Sequence, residues 1–173
     1  MLRRTMLVGL ASLTLVGGCS SSGGSASRGV GVGKRDLATT LAADPAFSSL
    51  EEWITAAEYA PTLRSGGPLT LFAPNDDAIG GVRQGLRSRL LKPENRDLLR
   101  AVLDRHVVPG YFPLEQIKLT RVLRTLDGGE VKITHAGQSL RFGTGNLVRT
   151  NIGAGNGLIH AIDQVQFPPG LFY

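Results

Sequence analysis

Asp76 and Asp77 stand side by side in TLFAPNDDAI (residues 70–79), and His106, His135 and His160 are the three histidines of the 173-residue chain. Adjacent acids and histidines are the residue types of general acid–base work and of metal ligation. Metal ligands need two or more converging side chains, often at a local spacing such as i, i+4, and the three histidines share no such spacing. Nucleophilic catalysis is no better served. There is no Gly-x-Ser-x-Gly, and the single cysteine, Cys19, lies in an N-terminal address segment. The glycine-rich GAGNG (153–157) precedes a β-prone run rather than a helix, so it reads as a hairpin turn at Asn156–Gly157 and not as a phosphate loop. No catalytic residue, metal site or cofactor is expected.

The elements that position these residues explain them in structural terms. LTLFA (69–73) reads as a buried strand, and Pro74 ends its ladder because it has no N–H to donate. Asn75 is placed to cap the next helix, with Asp76 and Asp77 in its first turn. There the macrodipole favours each negative charge by ~0.3–1 kcal/mol, so both acids should be ionised and partly exposed. In PENRDLLRAVLDRHVV, His106 extends the apolar face of Leu98, Leu99, Val102 and Leu103, while Asp97, Arg100, Asp104 and Arg105 form a solvated face. That placement predicts a core histidine bonded to backbone. In LIHAIDQVQF, Ile159, Ala161 and Val165 alternate with Leu158, His160 and Ile162. Both sets are partly apolar, which predicts a central strand with His160 buried and satisfied by a group in the Asn75–Asp77 turn.

Elsewhere, Asp36 is expected to cap a short helix reaching about Ala43. Phe47, Leu50, Ile54 and Ala57 predict an amphipathic helix from Ser48 to about Tyr59, with Trp53 packed at its edge. Pro61 and SGG read as a break, VRQGLRSRLL as a weak helix interrupted by Gly85, and PGYFP (109–113) as an extended loop. The last third consists of short β-prone runs separated by DGG, AGQ, GTGN and GAGNG, the pattern of hairpins in an antiparallel sheet. Helices followed by a run of strands predict an α+β fold.

The N-terminus has Arg3 and Arg4, an apolar stretch from Met6 to Val16, then Gly17 and Gly18 before Cys19. This order predicts a signal peptide over 1–18, too short to span a bilayer comfortably. VGGC resembles the lipobox of bacterial lipoproteins, which makes Cys19 the expected lipid anchor and the membrane an expected partner. Residues 19–33 then form a Ser/Gly tether with a reach of roughly 20 Å, leading to a single domain over 34–173. The expected location is the cell envelope, at the outer membrane or on the periplasmic or extracellular face. The formal charge of +5 falls to 5 − 2 = +3 without Arg3 and Arg4, and the remaining cations form no run. That excludes nucleic acid as a partner on sequence grounds, leaving only a weak preference for anionic lipid or polysaccharide.

Four segments, TLFAPNDDAI, LLRAVLDRHVVPG, LRTLDGGEVKI and GNGLIHAIDQVQFPP, together resemble the successive signature segments of a fasciclin domain. The resemblance implies a twisted β-sandwich wedge with N-terminal and central helices packed on it. It also implies an adhesion or binding module without enzymatic activity, here taken as a monomer, with Asn75, Asp76, Asp77 and His160 as its structural motif. Animal members often carry a Tyr-His pair at the end of the central helix, tied to receptor binding. Here the pair is Arg105–His106, which argues against integrin-type recognition. The expected contacts for a protein or polysaccharide partner are His106, Val107, Val108, Tyr111 and Phe112, on an exposed apolar patch spanning Val107–Pro113. The alternative is a carrier of a small apolar ligand in a closed pocket between sheet and helices.

Overall fold

The alternating apolar runs assemble into one seven-stranded sheet. The computed structural model describes residues 35–137 and 139–171. The expected signal peptide, Cys19 and tether lie outside the described residues. Strand order is β2-β1-β7-β6-β5-β4-β3, with β1 Leu69–Pro74, β2 Val107–Pro109, β3 Val122–Arg124, β4 Glu130–Ala136, β5 Ser139–Phe142, β6 Gly145–Ala154 and β7 Gly157–Ile162. All neighbours are antiparallel except β1 and β7, which run parallel from Leu69↔Gly157 to Pro74↔Ile162. The sheet is therefore mixed where hairpins alone were expected. It curls until its edges approach, Leu126 N–H beyond β3 donating to the Val107 carbonyl at 2.8 Å.

The fold is α+β, as the sequence pattern predicts. Strand alternation divides the interior into two cores. Leu69, Leu71 and Ala73 of β1, with Ile159 and Ala161 of β7, face a large core of helical side chains. Phe72 and Ile162 face a second core with Phe142, Ile133 and Leu140 inside the curl. Phe72 and Phe142 stack at 3.8 Å between ring centroids, and the His160 ring lies against Phe72 at 5.5 Å. Both faces of β7 are buried, as a central strand requires. Its first residue must be glycine, because a Cβ on Gly157 would collide with the Leu69 carbonyl oxygen of the neighbouring strand.

Six helices cover the first core: α1 Leu37–Ala42, α2 Ser48–Ala56, α3 Ala60–Ser65, α4 Asp76–Gly80, α5 Gln84–Leu90 and α6 Arg96–Asp104. Their starts follow from capping chemistry. Asp36 accepts from Thr39 N–H at 2.7 Å, and Asn75 accepts from Ala78 N–H at 2.9 Å. Helix α6 buries Leu99, Val102 and Leu103. Of the face expected to be solvated only Asp97 is exposed: Arg100, Asp104 and Arg105 are half-buried, Arg100 donating to the Ala57 carbonyl, Asp104 accepting from the Tyr59 hydroxyl and Arg105 pairing with Asp127. Trp53 is fully buried within the core rather than at an edge.

Four departures from the sequence reading have physical causes. Helix α2 stops at Ala56 because Glu58 takes a left-handed conformation, φ 49°. Pro61 sits in the first turn of α3, where its missing N–H has no helical partner to lose. Helix α6 ends before His106, and the next residues join β1 as an edge strand. PLEQIKL forms a helix, α7 (Leu114–Leu119), that seats Ile117 in the second core.

Candidate functional site

His106 sits at the junction of α6 and β2, 1% exposed. Its Nδ1–H donates to the Val102 carbonyl one helical turn earlier (2.6 Å), and its Nε2 accepts from Gln166 N–H (2.9 Å). The two partners select the Nδ1–H tautomer. Burial pushes the ring's pKa down from 6.5 to about 4, against the Val102 hydrogen bond; the Arg105 charge adds to the lowering and Asp127 opposes it. This is the backbone-bonded core histidine that its helical position predicts.

His160 is also buried, and burial lowers its pKa despite a hydrogen bond to the Phe112 carbonyl. Nε2 lies 2.9 Å from that carbonyl, and Nδ1 accepts from Asn151 N–H at 3.4 Å. The expected partner in the Asn75–Asp77 turn is thereby corrected. His160 is in register with Phe72, in the middle of β1, while that turn follows the end of the strand. Sequence reasoning had no access to a contact 48 residues away.

The consequence is a clamp on the Gly110–Phe112 segment. Phe112 N–H donates to Thr70 Oγ1 (2.9 Å), Thr70 Oγ1–H donates to the Gly110 carbonyl (2.8 Å), and His160 holds the Phe112 carbonyl. The Phe112 ring packs on the second core. Tyr111, between them, is half-buried and lines a cleft of about 280 Å³ with Pro68 and the Ala154–Gly157 turn. The apolar patch expected across Val107–Pro113 is corrected as well. His106, Val107 and Val108 are buried because Val107–Pro109 pairs with β1, so of the five expected contacts only Tyr111 and Phe112 reach solvent.

Asp76 and Asp77 do not act together. Asp76 reaches back to α2, where Oδ1 accepts from Ser49 N–H at 2.7 Å and Oδ2 from the Ser48 hydroxyl at 2.8 Å. Burial opposes its charge, but these hydrogen bonds outweigh it and hold the carboxyl below its usual range. Asp76 thus caps a helix other than its own, which local sequence cannot reveal. Asp77 is exposed on the rim of a large cleft, about 1060 Å³, between α4–α5 and the segment after β7. Val82, Leu86, Val165 and Phe167 give that cleft an apolar wall, and Arg83 and Arg89 stand on its exposed rim. It is open, not the closed pocket expected for a carrier. The other shifted carboxyls also move down. Thr39 N–H lowers Asp36 and Ala46 N–H lowers Asp44; at Asp127, hydrogen bonds from Thr125 and Gly129 overcome burial. Among the described residues no three His, Cys, Asp or Glu side chains converge to hold a metal ion, and no helix is long and apolar enough to cross a membrane.

The fasciclin domain profile matches residues 45–168. Protein sll1483 of Synechocystis is 34% identical over 133 residues, which are 77% of this chain and 73% of that protein. A second Synechocystis protein, sll1735, is 31% identical over 122 residues, 70% of this chain and 90% of its own. A solved domain pair from the insect cell adhesion molecule fasciclin I shares the fold with a TM-score of 0.69 at 16% identity. It covers 78% of this chain, which spans 51% of that structure.

Proposed function

This chain belongs to the fasciclin domain family, and from that premise we propose that it is a non-catalytic binding module of the cell envelope. Cys19 carries the lipid that holds it at the membrane, and the partner is an envelope or surface protein or polysaccharide. The observation that carries the reading is the clamped segment at Tyr111. Three hydrogen bonds through Thr70 and His160 fix the backbone on both sides of a surface tyrosine. A tyrosine held in this way offers contact area and a hydroxyl with little ordering entropy left to lose on binding. The solved insect relative, a cell adhesion molecule, is consistent with that use of the fold.

The test is retention of full-chain-coated beads on cells and on purified envelope polysaccharide. Tyr111→Ala should cut retention by about thirtyfold if the tyrosine is a hot spot worth ~2 kcal/mol. Its thermal midpoint should stay within a few degrees of the parent. Equal retention by parent and variant would remove Tyr111 from the interface. Fractionation of cells expressing Cys19→Ser checks the anchor separately, since the variant should leave the membrane fraction.

A further inference from the structure

The cleft beside the clamped tyrosine, about 280 Å³, is lined by Gly67, Pro68, Tyr111 and the Ala154–Gly157 turn. Several polar groups of that turn are already committed. Asn156 donates to the Leu63 and Gly66 carbonyls and accepts from Leu37 N–H, and its own carbonyl accepts from Leu69 N–H. What remains for an occupant is a proline ring, a tyrosine and glycine backbone, a surface for small apolar side chains on an extended chain. Arg35, the first described residue, is tied to the same turn: its carbonyl accepts from Gly155 N–H at 2.6 Å. The chain just ahead of it reads GVGVGK (29–34), and Val30 and Val32 are the only apolar side chains larger than alanine between Ser20 and Lys34. A tether that serves only for reach needs neither valine. Two residues apart, they share one face of an extended chain, with glycine on the other. Arg35 limits how far they can go, about 11 Å for Val32 and about 18 Å for Val30.

We propose that Gly29–Gly33 docks in this cleft as an autoinhibitory strap, its valines against Pro68 and Tyr111, so that the tyrosine is shielded until a partner displaces it. Attachment at Arg35 selects this occupant over any free peptide. A segment held so close to its site meets it at an effective concentration on the order of millimolar, so a contact too weak to join two molecules is still populated. The partner then binds with an apparent affinity reduced by the fraction of molecules whose cleft is open. The shielding rests on the reading of Tyr111 as the partner contact; the docking does not.

NMR of the full chain with labelled valine methyls tests the docking. Nuclear Overhauser effects should join the Val30 and Val32 methyls to the Tyr111 ring, at an intensity that does not change with protein concentration. In V30S/V32S the Tyr111 ring and the Gly155 and Asn156 amides should shift, while the Phe72 and Phe142 rings stay in place. The same variant should be retained on cells or polysaccharide about fivefold better than the parent, for a cleft closed about four-fifths of the time. Absent Overhauser effects, with Tyr111 signals alike in parent and variant, would overturn the proposal. So would effects that grow with concentration, which would assign the valines to a second copy. Equal retention by parent and V30S/V32S refutes the shielding where Tyr111→Ala has lost retention. Where Tyr111→Ala is retained like the parent, the partner reading has failed and the Overhauser effects alone decide the docking.

Discussion

Lowering the pH from 7 to 4 probes the burial of His106 directly. The neutral ring is held between the Val102 carbonyl and Gln166 N–H, and a second proton on Nε2 would set two donors against each other. The folded pKa is about 4 against 6.5 for the free side chain. Between those values the unfolded chain binds the proton and the folded one does not, so stability is complete above pH 6.5 and falls as the pH drops towards 4. At 1.36 kcal/mol per pH unit the loss approaches about 3 kcal/mol at pH 4, a large fraction of a small domain's stability. His160, lowered in the same direction by burial, adds to the slope. Urea unfolding at half-unit pH steps measures the slope, and His106→Gln should remove its own share, leaving a shallower curve. NMR of the ring Cε1–H supplies the direct check. A His106 signal that titrates near pH 6.5 in the folded protein, or a stability flat from pH 7 to 5, would refute the reasoning.

Two further substitutions test the framework around the site. Asp76→Ala leaves Ser49 N–H and the start of α2 uncapped and should cost ~1 kcal/mol, with Asp76→Asn recovering part of it; chemical denaturation at pH 7 separates the three proteins. The part of that contribution carried by the ionised carboxyl is lost as the pH falls through its lowered pKa, so parent and Asp76→Ala should draw closer in stability in acid. Thr70→Ala orphans Phe112 N–H and should cost ~1–3 kcal/mol, while speeding hydrogen exchange at Phe112 well above that of β1.

The fold class was legible because its determinants are local. Asp36 and Asn75 cap the helices their positions predict, and the alternation of Ile159 and Ala161 with Leu158 and Ile162 correctly marks β7 as central. Elements that exist only through tertiary pairing were not legible. Val107–Pro109 is too short to declare itself a strand without β1 beside it, and α7 has only six residues. The site follows the same rule. His106 was readable from a partner four residues away, whereas the partners of His160 and Asp76 lie 48 and 27 residues distant.

The parallel pairing of β1 and β7 also gives the domain a polarity. The described chain enters beside the β6–β7 turn, where Arg35 accepts from Gly155 N–H at 2.6 Å and Leu37 N–H donates to Asn156. The large cleft is lined by Asp77 and Asp163, just beyond the opposite ends of both strands. Six residues of strand rise separate the two ends, roughly 20 Å. Arg35, where the described chain begins, and the cleft thus occupy opposite poles. Anything joined to the domain at Arg35 acts on it from the pole away from the cleft, so attachment and access can change independently of each other.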